Sequence, residues 1–441
     1  MRRGGYTLAL RALAPLLWLF MWRRARRTPG QWEILGSARF GHVPSAVLHD
    51  DAPVWVHAVS LGETRAAQPL IQGLLDAGLP VLLTHMTATG RAEGARLFEA
   101  AISRGQLRQT WLPYDFPASA RRFIAAVRPR CGLIVEREIW PNVLAEASAA
   151  GVPLALVNAR FSPGSLRRAR RQGTVMREAL GRLDRVLAQT ADDAARLAEA
   201  GAHGVQVTGN LKFDLTLPPA LLAAGRDWRV ASTRPVIVIA STREGEDAMF
   251  AAAIAAARAR SRALFVLIPR HPHRFDEAVA HLEGAGLRCV RRSQAPQVPG
   301  DEIDVVVGDS LGEMPFYYAS ADVAIVAGSF APFGGHNLIE ACAAGTPVIV
   351  GPHTHNFEQA VADAIEAGAA ERAADAAAAV TLALAWVQDA PARARRAQAA
   401  QAWTAAHAGA VKRTLAALAD WLGAERPSGR PSAGRPSAER P

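Results

Sequence analysis

The feature that most restricts the fold of this chain is a regular alternation of short β-branched segments with longer amphipathic segments rich in alanine and leucine, which restarts after Pro218. The predicted strands are residues 54–59, 80–84, 132–136, 153–158 and 185–188 in the first block, and 235–240, 263–268, 305–307, 323–326 and 347–350 in the second. The helical runs between them include residues 65–77, 192–200 and 247–260. Such alternation predicts parallel sheets with crossover helices. We therefore expect an α/β protein of two Rossmann-like domains facing a cleft, with ligands bound in the loops that follow the carboxyl ends of the strands.

The length supports more than one domain, because 441 residues exceed the roughly 100–150 of a typical compact core. The predicted divisions are an N-terminal hydrophobic helix with basic flanks, two Rossmann-like domains and a tail, at residues 1–30, 31–217, 218–425 and 426–441. The tail repeats an Arg-Pro-Ser unit that has nothing to bury, so we predict that it is disordered.

The net charge of +10 lies at the two ends of the chain. Residues 1–30 contain seven arginines and no acidic residue, and the tail from residue 426 adds a net +3. Together these account for the whole excess, so residues 31–425 are neutral overall. A nucleic-acid-binding function therefore loses its main electrostatic support.

The N-terminal apolar segment, residues 6–22, is interrupted by Arg11 and Pro15 and is shorter than the ~20 residues needed to span hydrocarbon. Arginines follow it where a signal peptide would have small residues. Basic flanks with Trp18 and Trp22 favour association with an anionic membrane surface. The sequence leaves open whether this helix spans the membrane or lies on it.

The three cysteines, Cys131, Cys289 and Cys342, have no spacing typical of metal ligands. We interpret them as free thiols of a reducing compartment. No group of carboxylates suggests a metal site either.

Glu63 is the first candidate for catalysis, in the segment VSLGET that follows the first predicted strand. Ser60 and Glu63 also have the spacing of a helix capping box, so a capping role is the alternative. A helix N-terminus favours an ionised carboxylate, so we expect Glu63 to be ready to accept a proton. The turn lacks the GxGxxG pattern of a nicotinamide cofactor site.

A second acidic group, Glu136 and Glu138, lies in the segment EREIWPN after the third predicted strand. Acidic side chains at a strand end are costly to bury without a partner, which favours a functional role. The alternative is a helix-capping turn with surface acids.

In the second half, Arg270 and His271 follow a predicted strand and are suited to an anion, because arginine binds phosphate in a bidentate manner. The alternative is a chance basic cluster in a surface loop. Residues 309–314, DSLGEM, follow the next strand, and their alternative interpretation is a helix start capped by Asp309.

The segment GSFAPFGGHN, residues 328–337, precedes a predicted helix. Its glycine pair allows the backbone to approach a ligand, and we expect the N–H groups of residues 337–340 to point at that ligand. Glu340 would accept hydrogen bonds from ribose hydroxyls. A plain tight turn is the alternative.

These three loops in one Rossmann-like half favour a nucleotide-sugar site, and the other half is then left for the acceptor. This organisation is typical of a GT-B glycosyltransferase, in which the donor binds the C-terminal domain.

Eleven motifs in order make the chain similar to one family. They are WVHAVSLGE, MTATG, LPYDFP, EREIWPN, NARFS, TGNLKFD, ASTREGE, PRHP, DSLGEM, GGHNLIEA and GPHTHNF, spread from about Arg39 to Phe357. In this order they resemble the bacterial 3-deoxy-D-manno-octulosonic acid (Kdo) transferases.

The resemblance implies transfer of Kdo from CMP-Kdo to the lipid A precursor, lipid IVA, at the cytoplasmic face of the inner membrane, with inversion and without a metal or other cofactor. It implies that Glu63 is the general base and that Glu136 and Glu138 position the acceptor or the sugar. The residues that it assigns to CMP are Arg270, His271, Leu311, Gly312, Glu313, Asn337, Leu338, Ile339 and Glu340.

The chain departs from the family pattern in several places. Arg137 stands where a threonine is usual, and Leu338 replaces a proline. Pro332 and Phe333 stand where relatives commonly have an arginine before the glycine pair, and the loss of that arginine would remove one donor contact. The remaining alternatives are a GT-B transferase for another nucleotide sugar and an inactive, membrane-docked binding protein.

Overall fold

The computed structural model of the chain describes residues 2–26 and 32–423. The predicted disordered tail lies outside the described residues. The chain divides into two compact units. The first contains the described residues up to Asp214 and those from Gly409 onward, and the second is Leu215–Ala408.

The first unit contains a parallel sheet of seven strands in the order β3-β2-β1-β4-β5-β6-β7. The strands are β1 Val54–His57, β2 Val81–His85, β3 Leu107–Trp111, β4 Cys131–Val135, β5 Leu154–Ala159, β6 Arg185–Ala188 and β7 Val205–Val207. Its helices are α1 Arg3–Ala25, α2 Leu61–Asp76, α3 Ala88–Leu97, α4 Glu99–Ser103, α5 Pro117–Val127, α6 Pro141–Ala149, α7 Pro163–Gln172, α8 Thr174–Leu180 and α9 Ala191–Glu199, with 3₁₀ turns at Ser37–Phe40, Ser45–Val47 and Leu211–Asp214. The central strands are buried on both faces by helices, which explains their continuous apolar sequence.

The second unit repeats the plan with a parallel sheet of seven strands in the order β10-β11-β9-β8-β12-β13-β14. The strands are β8 Val236–Thr242, β9 Leu264–Pro269, β10 Cys289–Arg291, β11 Val305–Val307, β12 Val323–Val326, β13 Val348–Val350 and β14 Ala370–Arg372. Its helices are α10 Pro219–Ala231, α11 Glu246–Ala257, α12 Phe275–Gly284, α13 Met314–Ala319, α14 Ile339–Ala343, α15 Glu358–Glu366, α16 Ala376–Gln388 and α17 Ala390–His407, with 3₁₀ turns at Arg258–Arg260 and Pro272–Arg274. All ten predicted strands are therefore present, in two Rossmann-like units.

The C-terminal helices differ from the expected division, which placed residues up to 425 in the second domain. Helices α18 Ala410–Ala417 and α19 Ala419–Leu422 belong to the first unit. The Asp214 carboxylate accepts the backbone N–H groups of Gly409 and Val411, both at 2.5 Å. An acidic side chain at this helix start satisfies N–H groups that have no partner within the helix.

Helix α1 contains the predicted apolar segment and extends beyond it at both ends. Its stretch Arg3–Arg23 has a mean hydropathy of 1.3 and is long and apolar enough, by length and composition, to cross a membrane. One face of α1 packs on the first unit, with Ala14 buried and Trp18 in contact with the rings of Phe40 and Tyr114. The opposite face is exposed and apolar. Its exposed large side chains are Leu8, Leu13, Leu16, Leu17, Leu19, Phe20 and Trp22.

Candidate active site

Glu63 lies in the first turn of α2, directly after the loop that follows β1. The backbone N–H of Ser60 donates to Glu63 Oε2 at 3.0 Å, which completes the predicted capping box. The side chain is only 8 % exposed. The capping role is therefore real, and a catalytic role would have to be performed by the same carboxyl group.

Glu136 follows β4, which neighbours β1 in the sheet, and its backbone has a φ of +61° in the left-handed region. Lys212 Nζ lies 3.1 Å from Glu136 Oε1. Burial alone would raise the pKa of Glu136, but Lys212, Arg160 and Arg137 hold it below its usual value. Glu136 is thus a buried, ionised carboxylate.

Glu138 is partly buried two residues further along the same loop. Burial raises its pKa; Arg137 opposes this effect, and the charge of Glu136 adds to it. The acidic loop, residues 136–140, therefore places two carboxyl groups close enough to act on each other.

The expectation that Glu63 is ionised is wrong for the structure as it stands. Burial, followed by the negative charges of Glu138 and Glu136, raises the pKa of Glu63 to about 8. These effects outweigh the backbone hydrogen bonds of Ser60 and Val59, which lower the pKa. The structure thus brings together the three acidic residues that the sequence singled out, and Glu63 retains its proton at neutral pH.

In the second unit, the loops after β11, β9, β8, β12 and β13 lie side by side at the carboxyl edge of the sheet. Arg270 and His271 follow β9. Burial lowers the pKa of His271, and the neighbouring Arg270, Arg243 and His273 lower it further. The His271 and His273 rings are stacked, with centroids 5.5 Å apart.

His336 is a further member of this basic group. Burial, then Arg270, Arg243 and His271, lower its pKa to about 4. Its ring occupies the space beside Gly328, where an added Cβ would come within 2.5 Å of it. His336 Nε2 is buried and has no hydrogen-bond partner among the described residues. Neutral imidazoles beside two guanidinium groups make a site suited to an anion.

The glycine pair forms a tight turn, with φ of +92° at Gly334 and +79° at Gly335. An added Cβ at Gly334 would come within 2.4 Å of Asn356. Helix α14 then begins at Ile339, one residue after the predicted start at residue 338, and has five residues. Asn337 Oδ1 accepts the N–H of Ile339 at 3.1 Å, and Asn337 Nδ2 donates to Glu340 Oε1 at 3.1 Å. Of the N–H groups expected to point at a ligand, that of Ile339 is therefore already bonded to the Asn337 side chain.

Residues 311–313 form an exposed turn before α13, with Leu311 75 % exposed and Gly312 at a φ of +85°. Asp309 does not cap α13. Its carboxylate accepts the N–H of Ser293 at 2.9 Å and the hydroxyl of the same residue at 2.6 Å. The capping alternative for Asp309 is therefore wrong.

Within residues 2–26 and 32–423, no group of three or more His, Cys, Asp or Glu side chains is placed to hold a metal ion. The three cysteines are free thiols, as predicted.

Comparison with known proteins shows similarity over almost the whole chain. The 3-deoxy-D-manno-octulosonic acid transferase of Bordetella pertussis is 65 % identical over 428 residues, which cover 96 % of this chain and 100 % of that protein. The chain belongs to the 3-deoxy-D-manno-octulosonic acid transferase family. The Haemophilus influenzae transferase of the same name is 31 % identical, over 81 % of this chain and 84 % of that protein.

The family models follow the two units of this Kdo transferase family member. The model described as 3-deoxy-D-manno-octulosonic-acid transferase matches residues 36–215, and the model of group 1 glycosyl transferases matches residues 293–403. A glycosyltransferase of Rickettsia africae has the same two-domain α/β fold, with a TM-score of 0.58 and 12 % identity over 85 % of this chain and 99 % of that one. The GT-B fold and the glycosyltransferase class expected from the motifs are confirmed.

Two further polar residues shape the sites and were assigned no role from the sequence. Lys212 is one of only two lysines in the chain, and this rarity was the available signal. Glu246 is fully buried, and its carboxylate accepts the N–H groups of Gly328, Phe330 and Ala331 at 2.7, 2.9 and 3.2 Å. It also accepts the N–H of Arg243 at 2.8 Å, so it connects the loops after β8 and β12.

Proposed function

We propose that this protein transfers Kdo from CMP-Kdo to the lipid A precursor of lipopolysaccharide, with inversion at the anomeric carbon. The donor is assigned to the second unit and the acceptor to the first. The observation on which the proposal rests is Glu63, a buried carboxyl group with a pKa raised to about 8 beside Glu136 and Glu138. A general base is most effective when its pKa lies near the working pH.

In the proposed step, Glu63 takes the proton of an acceptor hydroxyl while that oxygen attacks the anomeric carbon of Kdo. The bond between that carbon and the phosphate oxygen breaks, and its electron pair leaves with CMP. Because attack and departure occur on opposite sides, one displacement inverts the configuration. Glu136 and Glu138 would position the hydroxyl groups of the acceptor or the sugar as hydrogen-bond acceptors.

The charge of the leaving CMP would be stabilised by the second unit. Arg270 and His271 are assigned to the phosphate, and residues 311–313 and 337–340 to the remaining contacts with CMP. Cationic and N–H donors that are already in place stabilise developing negative charge without reorganisation.

The donor contact that relatives commonly make with an arginine before the glycine pair is assigned here to Arg243. Its guanidinium group lies 4.4 Å from the centre of the Phe333 ring. Phe333 stands close to the place of the usual arginine in sequence, so the stacked Arg243 would supply a cation there. This assignment compensates for the departure at Pro332 and Phe333.

We also propose that α1 lies in the plane of the cytoplasmic membrane surface. Its contacts with the first unit run from Arg3, which bonds to Asn142 at 2.9 Å, to Met21, whose Sδ lies 3.9 Å from the Tyr114 hydroxyl. Arg3 and Met21 are eighteen positions apart, which is about 27 Å along a helix. Because the first unit contacts α1 over this whole length, a spanning α1 would bring the charged surface of the unit into hydrocarbon. The exposed Leu13, Leu16, Leu17 and Phe20 follow helical spacing and would face the lipid.

The catalytic proposal is tested with the full-length protein, CMP-Kdo and a tetraacyl-disaccharide phosphate, by following CMP release and the mass of the lipid. We expect a mass gain of one or more Kdo units, reduced by a factor of ~10²–10⁴ in Glu63→Gln while CMP binding persists. Glutamine retains the capping-box geometry, so the loss cannot be assigned to the cap. Transfer at a near-normal rate in Glu63→Gln would overturn the base assignment, and CMP binding without transfer by the wild type would indicate another sugar or acceptor.

The membrane proposal is tested in inverted membrane vesicles with a membrane-impermeant maleimide, in a Cys289→Ser background. Single cysteines are introduced by Arg2→Cys, before α1, and by Ser45→Cys, after it. A helix that lies on the membrane leaves both positions on one side, so we expect both to be labelled without detergent. Labelling of only one of them would show that α1 spans.

A further inference from the structure

The first two turns of α1 are polar on the face that meets the first unit, in contrast to the apolar remainder of the helix. Arg3 Nε and Thr7 Oγ1 donate to Asn142 Oδ1 at 2.9 and 3.1 Å. The Tyr6 hydroxyl donates to Asp115 Oδ2 at 2.8 Å. Arg3 also forms an ion pair with Glu146. A helix that served only to attach the protein to lipid would not need these three side chains on one face.

All three partners of this polar face belong to α6 or to its cap. Asn142 and Glu146 are residues of α6 itself, and both are buried. Asp115, from the loop after β3, is 2 % exposed and accepts the N–H groups of Asn142 and Val143, the latter at 2.7 Å. Residue Trp140, which precedes α6, provides no side-chain cap, so Asp115 acts as a cap from a distant loop.

The acidic loop that bears Glu136 and Glu138 joins β4 directly to α6. At one end it is held by the sheet, and at the other by the first turn of α6. The five residues between have little freedom once both ends are fixed. Glu136 already adopts a left-handed backbone, which a non-glycine residue retains only where its surroundings hold it. The position of Glu138 relative to Glu63 therefore depends on where α6 begins.

We infer that Arg3, Tyr6 and Thr7 are positioning residues for the transfer reaction, because they fix the first turn of α6 and thereby the acidic loop. The N-terminal helix is then part of the acceptor side of the site as well as an attachment to the membrane. This inference rests on the proposed function, in which Glu63, Glu136 and Glu138 act on the acceptor. The helix should therefore contribute to the rate of transfer in detergent as well, where no membrane is present for it to bind.

The test uses the full-length protein in detergent micelles with the same donor and acceptor. The variants are Tyr6→Phe, Thr7→Val and the double variant, which remove hydroxyl groups and little volume. Thr381→Val, at an exposed position of α16 in the second unit, is the matched control. Displacement of a catalytic group by about 1 Å costs up to ~10²-fold in rate. We expect kcat of the double variant to fall at least tenfold, with the affinity for CMP unchanged and the control equal to wild type.

The pH profile separates positioning from a general loss of stability. Glu63 faces the charges of Glu136 and Glu138, so a loosened acidic loop lowers its pKa toward the ordinary value. The rise of kcat/KM with pH should therefore move to lower pH in the double variant. A merely destabilised protein would keep the wild-type profile at reduced amplitude, and that result would overturn the inference, as would a wild-type kcat in all three variants.

Hydrogen–deuterium exchange keeps the inference testable if the double variant does not fold. Each single variant should then exchange faster at residues 137–145 with exchange elsewhere in the sheet unchanged, and unchanged exchange at 137–145 would overturn it. Failure of the proposed function is recognised separately, because the wild type itself would then transfer no Kdo.

Discussion

Lys212 Nζ lies 3.1 Å from Glu136 Oε1, and this pair maintains the ionised state of a buried carboxylate at the edge of the first sheet. Removing one partner of a buried pair leaves the other charge uncompensated. In Lys212→Met the pKa of Glu136 should rise, so Glu136 takes a proton and no longer raises the pKa of Glu63. We expect kcat/KM at its optimal pH to fall about 10-fold or more. The rise of kcat/KM with pH should also occur at lower pH than in the wild type.

The matched control is the other lysine of the chain, Lys412, which is exposed on α18. Lys412→Met should leave both the rate and the profile unchanged. Equal effects of the two substitutions would contradict a specific role for Lys212.

The pKa of Glu63, raised to about 8, predicts the pH dependence of transfer. The base is active without its proton, so kcat/KM should rise with pH up to about 8 and then level off. In Glu138→Gln one of the two neighbouring negative charges is absent, so the rise should occur at lower pH. Steady-state kinetics between pH 5.5 and 9 measure this at roughly half-unit steps, with the exposed Glu99→Gln as control. An unshifted profile in Glu138→Gln would exclude the charge of Glu138 as a cause.

The same shift predicts how stability depends on pH. The folded-state pKa of Glu63 lies above its value in the unfolded chain, so the unfolded state releases this proton first as the pH rises. Folded wild type therefore loses stability between about pH 4.5 and 8, at up to ~1.4 kcal/mol per pKa unit. Glu63→Gln lacks this loss and retains the cap. The midpoint of urea unfolding should thus be higher in the variant at pH 8 and similar at pH 5. A difference that does not grow with pH would argue against the raised pKa.

The stacking of Arg243 on Phe333 predicts a pair that acts together in donor binding. Arg243→Met and Phe333→Leu should each weaken CMP binding. The binding free energy lost in the double variant should be smaller than the sum of the two single losses. Interacting residues in such cycles show coupling of about 0.5–3 kcal/mol. Calorimetric titration with CMP measures all four proteins, and strict additivity would show that the stack has no role in binding.

The sequence predicted the centre of both sheets and missed their edges, for a physical reason. All ten predicted strands are present, whereas β3, β7, β10 and β14 were not proposed, and these four are the edge strands of the two sheets. A central parallel strand is covered on both faces and reads as an uninterrupted apolar run. Edge strands are partly exposed, as the intermediate burial of all three residues of β10 illustrates. Their mixed composition gives no such signal.

The candidate site shows the same limit in another form. Glu63, Glu136 and Glu138 were recognisable because each follows an apolar strand in a distinctive motif. The raised pKa of Glu63 was not predictable, because it depends on burial and on the approach of two residues more than 70 positions away in sequence. The role of Asp115 at the start of α6 was equally invisible, since its helix lies 27 residues further along the chain. Local sequence patterns identify the loops that bear functional residues. The pKa values of those residues depend on contacts that only the folded chain provides.

Glu246 provides the sharpest test of the donor side, because its two carboxylate oxygens accept four backbone N–H groups from two loops. In Glu246→Gln one oxygen is replaced by an amide NH₂, which cannot accept and instead opposes the N–H donors. Leaving buried donors unpaired costs about 1–3 kcal/mol each, and the loop that leads to the glycine pair should loosen. We expect CMP to bind about 10–100-fold more weakly in calorimetry, with the first unit unaffected in its own exchange pattern. Glu283→Gln, at an exposed position of α12, is the control. Wild-type affinity in Glu246→Gln would mean that the loop after β12 takes its binding geometry from the glycine turn alone.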